Sequence, residues 1–335
     1  MAQTLHEILL QWMRPTRSGL DEAIARIVSG DDTLTHLNLR NTGMTDQDLK
    51  KLRRAIRSSN NQTLVSLDLS CNLLTDNGLK ELSDWTNLTD LNISANNFGK
   101  AGISALCKNA GIQRLTARQN KLDHEAAALL SQQTQYEALD LGSNNLEDLG
   151  AKALAQCPNL LILDISDNHI TDDGIAEFAT HSKLTHLVAR INKITDDGLN
   201  RCLSHNTKLT YLDMGNNLLV CPTSIGEHPS LLYFKGYANQ INDAGAAAIA
   251  SNPGLKVALL NVNRITSAGA QLLHAAGYRF LDLSGNRAIQ DRDLQGKVFL
   301  SDTQYQQCHE EFPPVIVLRE TPSSPAPQAS GYTLL

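Results

Sequence analysis

Residues Leu160 to Ile170 read LLILDISDNHI, with apolar residues at 160, 163, 165 and 170 and an asparagine at 168. Those positions define the frame L-x-x-L-x-L-x-x-N-x-L, and a frame that recurs at a fixed period outweighs local propensity in deciding a fold. Working outward, the asparagine slot is filled by Asn72, Asn96, Asn120, Asn144, Asn168, Asn192, Asn217, Asn239, Asn263 and Asn286, with Thr42 in the first copy. The eleven copies are separated by 30, 24, 24, 24, 24, 24, 25, 22, 24 and 23 residues.

Each unit divides into two legs. The L-x-L pair predicts a short strand whose intervening side chains point away from the leucines. Six residues after the slot stands a glycine in seven copies (Gly78, Gly102, Gly150, Gly174, Gly198, Gly245, Gly269), and four residues further on an apolar residue such as Leu82, Leu106 or Leu154, which is helical spacing. In the TDDG sequences of Thr171 to Gly174 and Thr195 to Gly198 the threonine is suited to cap a helix, and the acidic pair suits its positive amino terminus. The glycine allows close helix packing. The slot asparagine carries donors and an acceptor, enough to satisfy backbone groups in a buried turn. One unit cannot bury its own apolar face, so the copies are expected to stack into an α/β horseshoe solenoid, with a concave parallel sheet of eleven strands and helices on the convex side.

Composition narrows the function classes. Although 335 residues suggest about two domains, the repeat overrides that prior. With 29 basic against 35 acidic residues, a net charge of −6 argues against a protein that mainly neutralises nucleic-acid phosphates. At 41% hydrophobic but 4% aromatic, the core must be aliphatic. No stretch approaches 18 uninterrupted apolar residues, so no membrane span is expected, and the amino terminus lacks the basic region of a Sec signal. The six cysteines are scattered singly and read as reduced thiols of a cytoplasmic protein.

The sequence predicts an N-terminal helical cap over residues 1–33, with candidate helices LHEILLQWM and LDEAIARIV split by Arg14-Pro15. The repeat array follows over 34–288, then a C-terminal cap over 289–319 containing a helix in DTQYQQCHEEF and a strand at Val315 to Leu318. Residues 320–335, with three prolines, form an expected disordered tail. Inside the array, Pro222 and Pro229 predict an extended or irregular return leg from Val220 to Ser230.

The segments GAKALAQCPNLLILDISDNHI (Gly150 to Ile170) and AGAAAIASNPGLKVALLNVNRI (Ala244 to Ile265) resemble the 24-residue leucine-rich repeats of GALA-type bacterial effectors, and more broadly the ribonuclease-inhibitor-like class. The resemblance covers Leu34 to Ala288. It implies a protein-binding horseshoe delivered by a non-Sec route into the cytosol of a eukaryotic host. GALA effectors carry an F-box ahead of the repeats and join ubiquitin ligases; the residues before Leu34 lack its Leu-Pro opening, which leaves a stand-alone binder as the expectation and a ligase adaptor as the alternative.

No catalytic grouping emerges. Cys308-His309-Glu310-Glu311 holds suggestive residue types, but neighbours on a helix point apart. HExxH, GxxxxGK[ST] and GxGxxG do not occur. The chain therefore reads as non-enzymatic, without cofactor or metal, an unrecognised enzyme being a remote alternative. Asp68, Asp140, Asp164, Asp213 and Asp282 align as a column expected to be a solvated ridge. The early concave positions, such as His36, Ser66, Asn92 and Ser94, are polar. From the sixth copy onward they turn apolar and aromatic: Ile162, Val188, Ile191, Tyr211, Tyr233, Tyr237, Val257, Leu259, Val262 and Phe280, with His186, Arg190, Asp213 and Lys235 among them. A contiguous exposed set of this kind resembles the centre of a protein interface, and Tyr and Arg are common hot-spot residues; the alternative is that some of them, Phe280 and Val262 first, pack under the carboxy-terminal cap. Tyr233, Lys235 and Tyr237 are its expected centre. The groove suits a folded protein, from the host or another bacterial effector, whose active site it would occlude; the binder itself is expected to be a monomer.

Overall fold

The structure, a computed structural model, describes residues 18–289. Among these, eleven three-residue strands form one parallel sheet in chain order: β1 His36–Asn38, β2 Ser66–Asp68, β3 Asp90–Asn92, β4 Arg114–Thr116, β5 Ala138–Asp140, β6 Ile162–Asp164, β7 His186–Val188, β8 Tyr211–Asp213, β9 Tyr233–Lys235, β10 Val257–Leu259 and β11 Phe280–Asp282. Helix α1, Ser18–Val28, precedes β1. The return legs carry α2 Asp46–Ser59, α3 Asp76–Leu79, α4 Lys100–Leu106, α5 His124–Ser131, α6 Glu147–Leu154, α7 Asp172–Ala176, α8 Asp196–Leu203, α9 Ser224–Glu227, α10 Asp243–Ala250 and α11 Ser267–Ala275. The middle residue of each strand, such as Leu163, Leu187 or Leu212, is buried in one continuous aliphatic core with helix residues such as Ile175 and Leu199. This is a leucine-rich-repeat solenoid of the horseshoe type.

The turn after each strand is built twice over. In all eleven copies the residue before the asparagine slot, from Asn41 to Gly285, is left-handed, with φ between 50° and 70°. The slot asparagine then ties neighbouring copies together. Asn192 Nδ2 donates to the carbonyls of Ile165 (3.1 Å), Ala189 (3.1 Å) and Arg190 (3.2 Å), while its Oδ1 accepts from the backbone N–H of Asn168 (3.1 Å) and Ile170 (2.9 Å). One side chain thus satisfies five backbone groups that would otherwise be buried without water.

A second ladder runs along the helix starts. Asp172 accepts from the Thr195 backbone N–H (2.7 Å) and hydroxyl (2.6 Å) of the next copy, and the same pairing joins Asp46 to Thr75, Asp148 to Thr171 and Asp243 to Thr266. The threonine is therefore chiefly an inter-repeat donor. Thr75, Thr195 and Thr266 also cap their helices, whereas Thr171 makes no side-chain cap bond. The ladder explains the glycine: Asp46 Oδ1 lies 2.6 Å from the place a Cβ on Gly78 would occupy. At Gly78, Gly102, Gly174, Gly198 and Gly269 the glycine makes room for such a carboxylate, whereas Gly150 packs closely against Leu146 and Gly245 against the Val220 carbonyl, as the sequence reading expects.

A buried polar row was not read from the sequence. Asn109 Nδ2 donates to the carbonyls of Leu82 (2.7 Å) and Trp85 (2.9 Å), Asn206 and Asn252 repeat the arrangement, and His181 Nε2 meets the Cys157 carbonyl at 2.9 Å. Its signal is the repeat period itself, in a slot shared by Asn, His and Cys. The five cysteines among the described residues are free thiols, and burial pushes Cys107 up to about 11 and Cys202 up to about 12.

LDEAIARIV lies within α1, which packs on α2 through buried Leu20, Ala23 and Ile27. The leg expected to be irregular from Val220 to Ser230 instead retains one helical turn, α9. It begins just after Pro222, where a fixed φ and a missing N–H cost nothing. LHEILLQWM, Cys308 to Glu311, DTQYQQCHEEF, Val315 to Leu318 and the tail 320–335 lie outside the described residues.

Candidate protein-binding face

Strand register arranges the outward side chains in columns. The first strand residues align as Ile162, His186, Tyr211, Tyr233, Val257 and Phe280, and the third as Asp164, Val188, Asp213, Lys235, Leu259 and Asp282. His186 and Tyr211 stack with ring centroids 5.5 Å apart, and Tyr211 and Tyr233 stack at 4.5 Å with planes 11° apart. Parallel register forces this, since one ring per strand in one column leaves neighbours only a strand spacing apart. Val188, Tyr211, Tyr233, Val257, Leu259 and Phe280 form a second apolar cluster, separate from the main core.

That cluster corrects the expectation of an exposed patch. Tyr211, Tyr233, Val257, Leu259, Phe280 and Val188 are buried, with Tyr233 only 1% exposed, while Ile162, His186, Arg190 and Tyr237 are half-buried. Burial lowers the proton affinity of His186 below the usual imidazole range, so it is neutral at pH 7. Lys235 is buried as well: its Nζ lies 3.5 Å from Asp213 Oδ2, with the two side chains 9% and 3% exposed. Burial raises the Asp213 carboxyl, and Lys235, the Gly215 N–H and Arg190 oppose the rise.

The aspartate column is not a solvated ridge either. Asp140, Asp213 and Asp282 are buried, and each carboxylate, like those of Asp68 and Asp164, accepts the backbone N–H two residues on. These are Asx turns that fix the corner where strand becomes turn. Arg118 Nη1 bridges Asp140 (2.9 Å) and Asp164 (2.8 Å), and Arg114 forks onto Asp90. The amino-terminal half of the face is therefore polar and internally paired, while at its far edge His36 and Asn38 stand exposed.

Beyond the strands lies a rim. Tyr237 folds across Gly215, where a Cβ would strike its ring, and has Lys235 Nζ 5.9 Å from the ring centroid. Burial works against the charge of Arg190, but Tyr237, Asp213 and Asp164 more than offset it. Ile191 and Val262, read from the sequence as strand positions, sit instead in the left-handed turn, with φ 54° and 57°. They are 48% and 53% exposed. A β-branched residue at positive φ is an outlier that costs free energy, whereas nine other copies use Asn, Gly, Ala, Ser, Asp, Gln or Cys at this place.

Among the described residues no group of three His, Cys, Asp or Glu could hold a metal ion, and no helix is long and apolar enough to cross a membrane. Family descriptions for leucine-rich repeats match residues 135–194 and residues 32–52, 60–83 and 86–107. Among solved structures, an internalin (inlF) of Listeria monocytogenes superposes with a TM-score of 0.56 at 20% identity, covering 85% of this chain and 94% of that one. The Arabidopsis receptor kinase HAESA, solved with the peptide hormone IDA and the co-receptor SERK1, gives 0.43 at 18% identity over 67% of this chain and 36% of its own. No curated protein matches the sequence. The likeness to the internalin is one of fold.

Proposed function

We propose that the protein is a non-catalytic binding module that grips a folded partner protein through the rim beside the carboxy-terminal half of its concave face. The observation that carries this reading is the exposed pair Ile191 and Val262, held in strained turns on the same rim as Arg190 and Tyr237. Strain at an exposed apolar residue does nothing for folding; it is retained where a surface is used. The extended concave surface of a solenoid suits a protein partner better than a metabolite. Ile162, His186, Val188, Tyr211, Asp213, Tyr233, Lys235, Val257, Leu259 and Phe280 act mainly as the rigid bed of that rim. The GALA-like sequence supports a bacterial effector acting as a monomer in the host cytosol, where it inhibits its partner, from the host or the bacterium, by covering the active site.

The test is affinity capture from host and bacterial lysates with wild type, Tyr237→Ala with Arg190→Ala, and a control pair His36→Ala with Ser94→Ala. Two hot-spot truncations cost about 2 kcal/mol each, so the rim variant should lose the partner while the control retains it. Loss in the control alone would place the site on the other half of the face.

A further inference from the structure

The residues on either side of the slot asparagine form two columns along the rim. From Asn192 to Asn286 these positions hold Lys193, Arg264 and Arg287 and no Asp or Glu, in a chain whose net charge is −6. In the earlier copies the same columns balance, with Lys121 against Asp167. Lys193, Arg264 and Arg287 are exposed, and among the described residues none of them joins an ion pair. The carboxylates at the adjoining helix starts are committed elsewhere. Asp196 accepts the backbone N–H groups of Val220 (3.0 Å) and Cys221 (2.8 Å), Asp243 is held by Thr266, and Asp197 pairs with Arg201 at 3.0 Å. The positive charge of this part of the rim is therefore uncompensated. Apolar side chains stand among the cations: Leu218, 43% exposed, joins Ile191 and Val262, and Val262, Arg264 and Arg287 line one open hollow of about 460 Å³.

We propose that this rim takes an acidic segment of the partner protein in extended conformation, with its carboxylates on Lys193, Arg264 and Arg287 and its apolar side chains on Ile191, Leu218 and Val262. The assignment rests on the binding role given to the rim above and adds the chemistry of what it binds. Copies recur at about 4.8 Å along the sheet, so Lys193 and Arg287, four copies apart, span about 20 Å; an extended chain rising about 3.3 Å per residue covers that with about six residues. Burial of Ile191, Leu218 and Val262 supplies apolar contact area, while carboxylates meeting unpaired cations set register and speed encounter. A nucleic acid fits less well, because neither column offers an aromatic side chain on which a base could stack.

The probe is a phage-displayed library of random dodecapeptides, selected on the full-length protein. Wild type should enrich sequences that combine Asp or Glu with Leu, Ile or Phe. The corresponding synthetic peptides should bind Arg264→Glu with Arg287→Glu at least tenfold more weakly, while Arg264→Lys with Arg287→Lys keeps most of the affinity, which separates lost charge from lost fold. Peptides without an acidic excess, or no enrichment at all, would overturn the proposal. So would a single-stranded oligothymidylate that binds wild type as tightly as the peptides do, since the cations would then serve a phosphate backbone. Selected peptides that bind the glutamate variant as well as wild type, yet are lost by Ile191→Asn with Val262→Asn, would leave the rim as the binding site and remove its acidic complement. Peptides held undiminished by both variants would show that the rim itself is not the site.

Discussion

At the scale of single residues, the slot asparagines and one aspartate are the most informative positions. Asn168 is fully buried; its Nδ2 donates to the Leu141 (3.0 Å) and Ser166 (2.9 Å) carbonyls and its Oδ1 accepts from the Leu146 N–H (3.2 Å). Asn168→Ala strands three buried backbone groups at about 1–3 kcal/mol each, so a loss on the order of 3–5 kcal/mol is expected in urea unfolding. Asp140 carries a different kind of prediction. Burial and the neighbouring Asp164 carboxylate push its pKa from 3.8 up to about 7, against the pull of Arg118. Between those values the folded protein keeps a proton that the unfolded chain has released, so this group's stabilising contribution is present at low pH and is lost as pH rises from about 4 to about 7. The stability of wild type minus that of Asp140→Asn should fall across that window in denaturant titrations. A difference that stays flat or rises would show that the carboxyl is not held protonated.

At the scale of elements, the Asp–Thr ladder and the aromatic column make separate demands. In α3, a Cβ on Gly78 would meet Asp46 Oδ1 at 2.6 Å, while the next nearest atoms lie at 3.4 Å and beyond. Gly78→Ala should therefore destabilise the wild type, but in an Asp46→Ala background it should be neutral or stabilising by up to about 1 kcal/mol, the helix-propensity gain. Additive effects in that double-mutant cycle would remove the carboxylate as the reason for glycine. On the sheet, Tyr233→Ala deletes a fully buried ring stacked on Tyr211, and a loss of about 3 kcal/mol is expected in thermal or urea unfolding. Tyr237, half-buried on the rim, should cost much less when truncated.

For the whole molecule, period was legible and environment was not. The spacing from Thr42 to Asn286 places every one of the eleven strands in order, because the repeat fixes both register and turn. Column membership followed for Tyr211, Tyr233, Val257 and Phe280 from strand alternation alone. Their burial did not, since alternation states which way a side chain points and says nothing of what lies above it. Ile191 and Val262 were misplaced because apolar residues beside an L-x-L pair resemble strand, and their left-handed conformation is dictated by the turn rather than by their own preference. The Asp column was misread because a carboxylate that accepts its own backbone is indistinguishable in sequence from one facing water.

The central claim is that the strained rim is kept for binding. Asparagine tolerates the left-handed turn, as Asn41 and Asn216 do at equivalent places, so Ile191→Asn with Val262→Asn should raise stability by about 1 kcal/mol or more as the strain is relieved. The most direct measurement is partner capture by this double variant alongside its unfolding midpoint. A raised midpoint with capture reduced at least tenfold is the expected result; undiminished capture by a properly folded variant would contradict the claim.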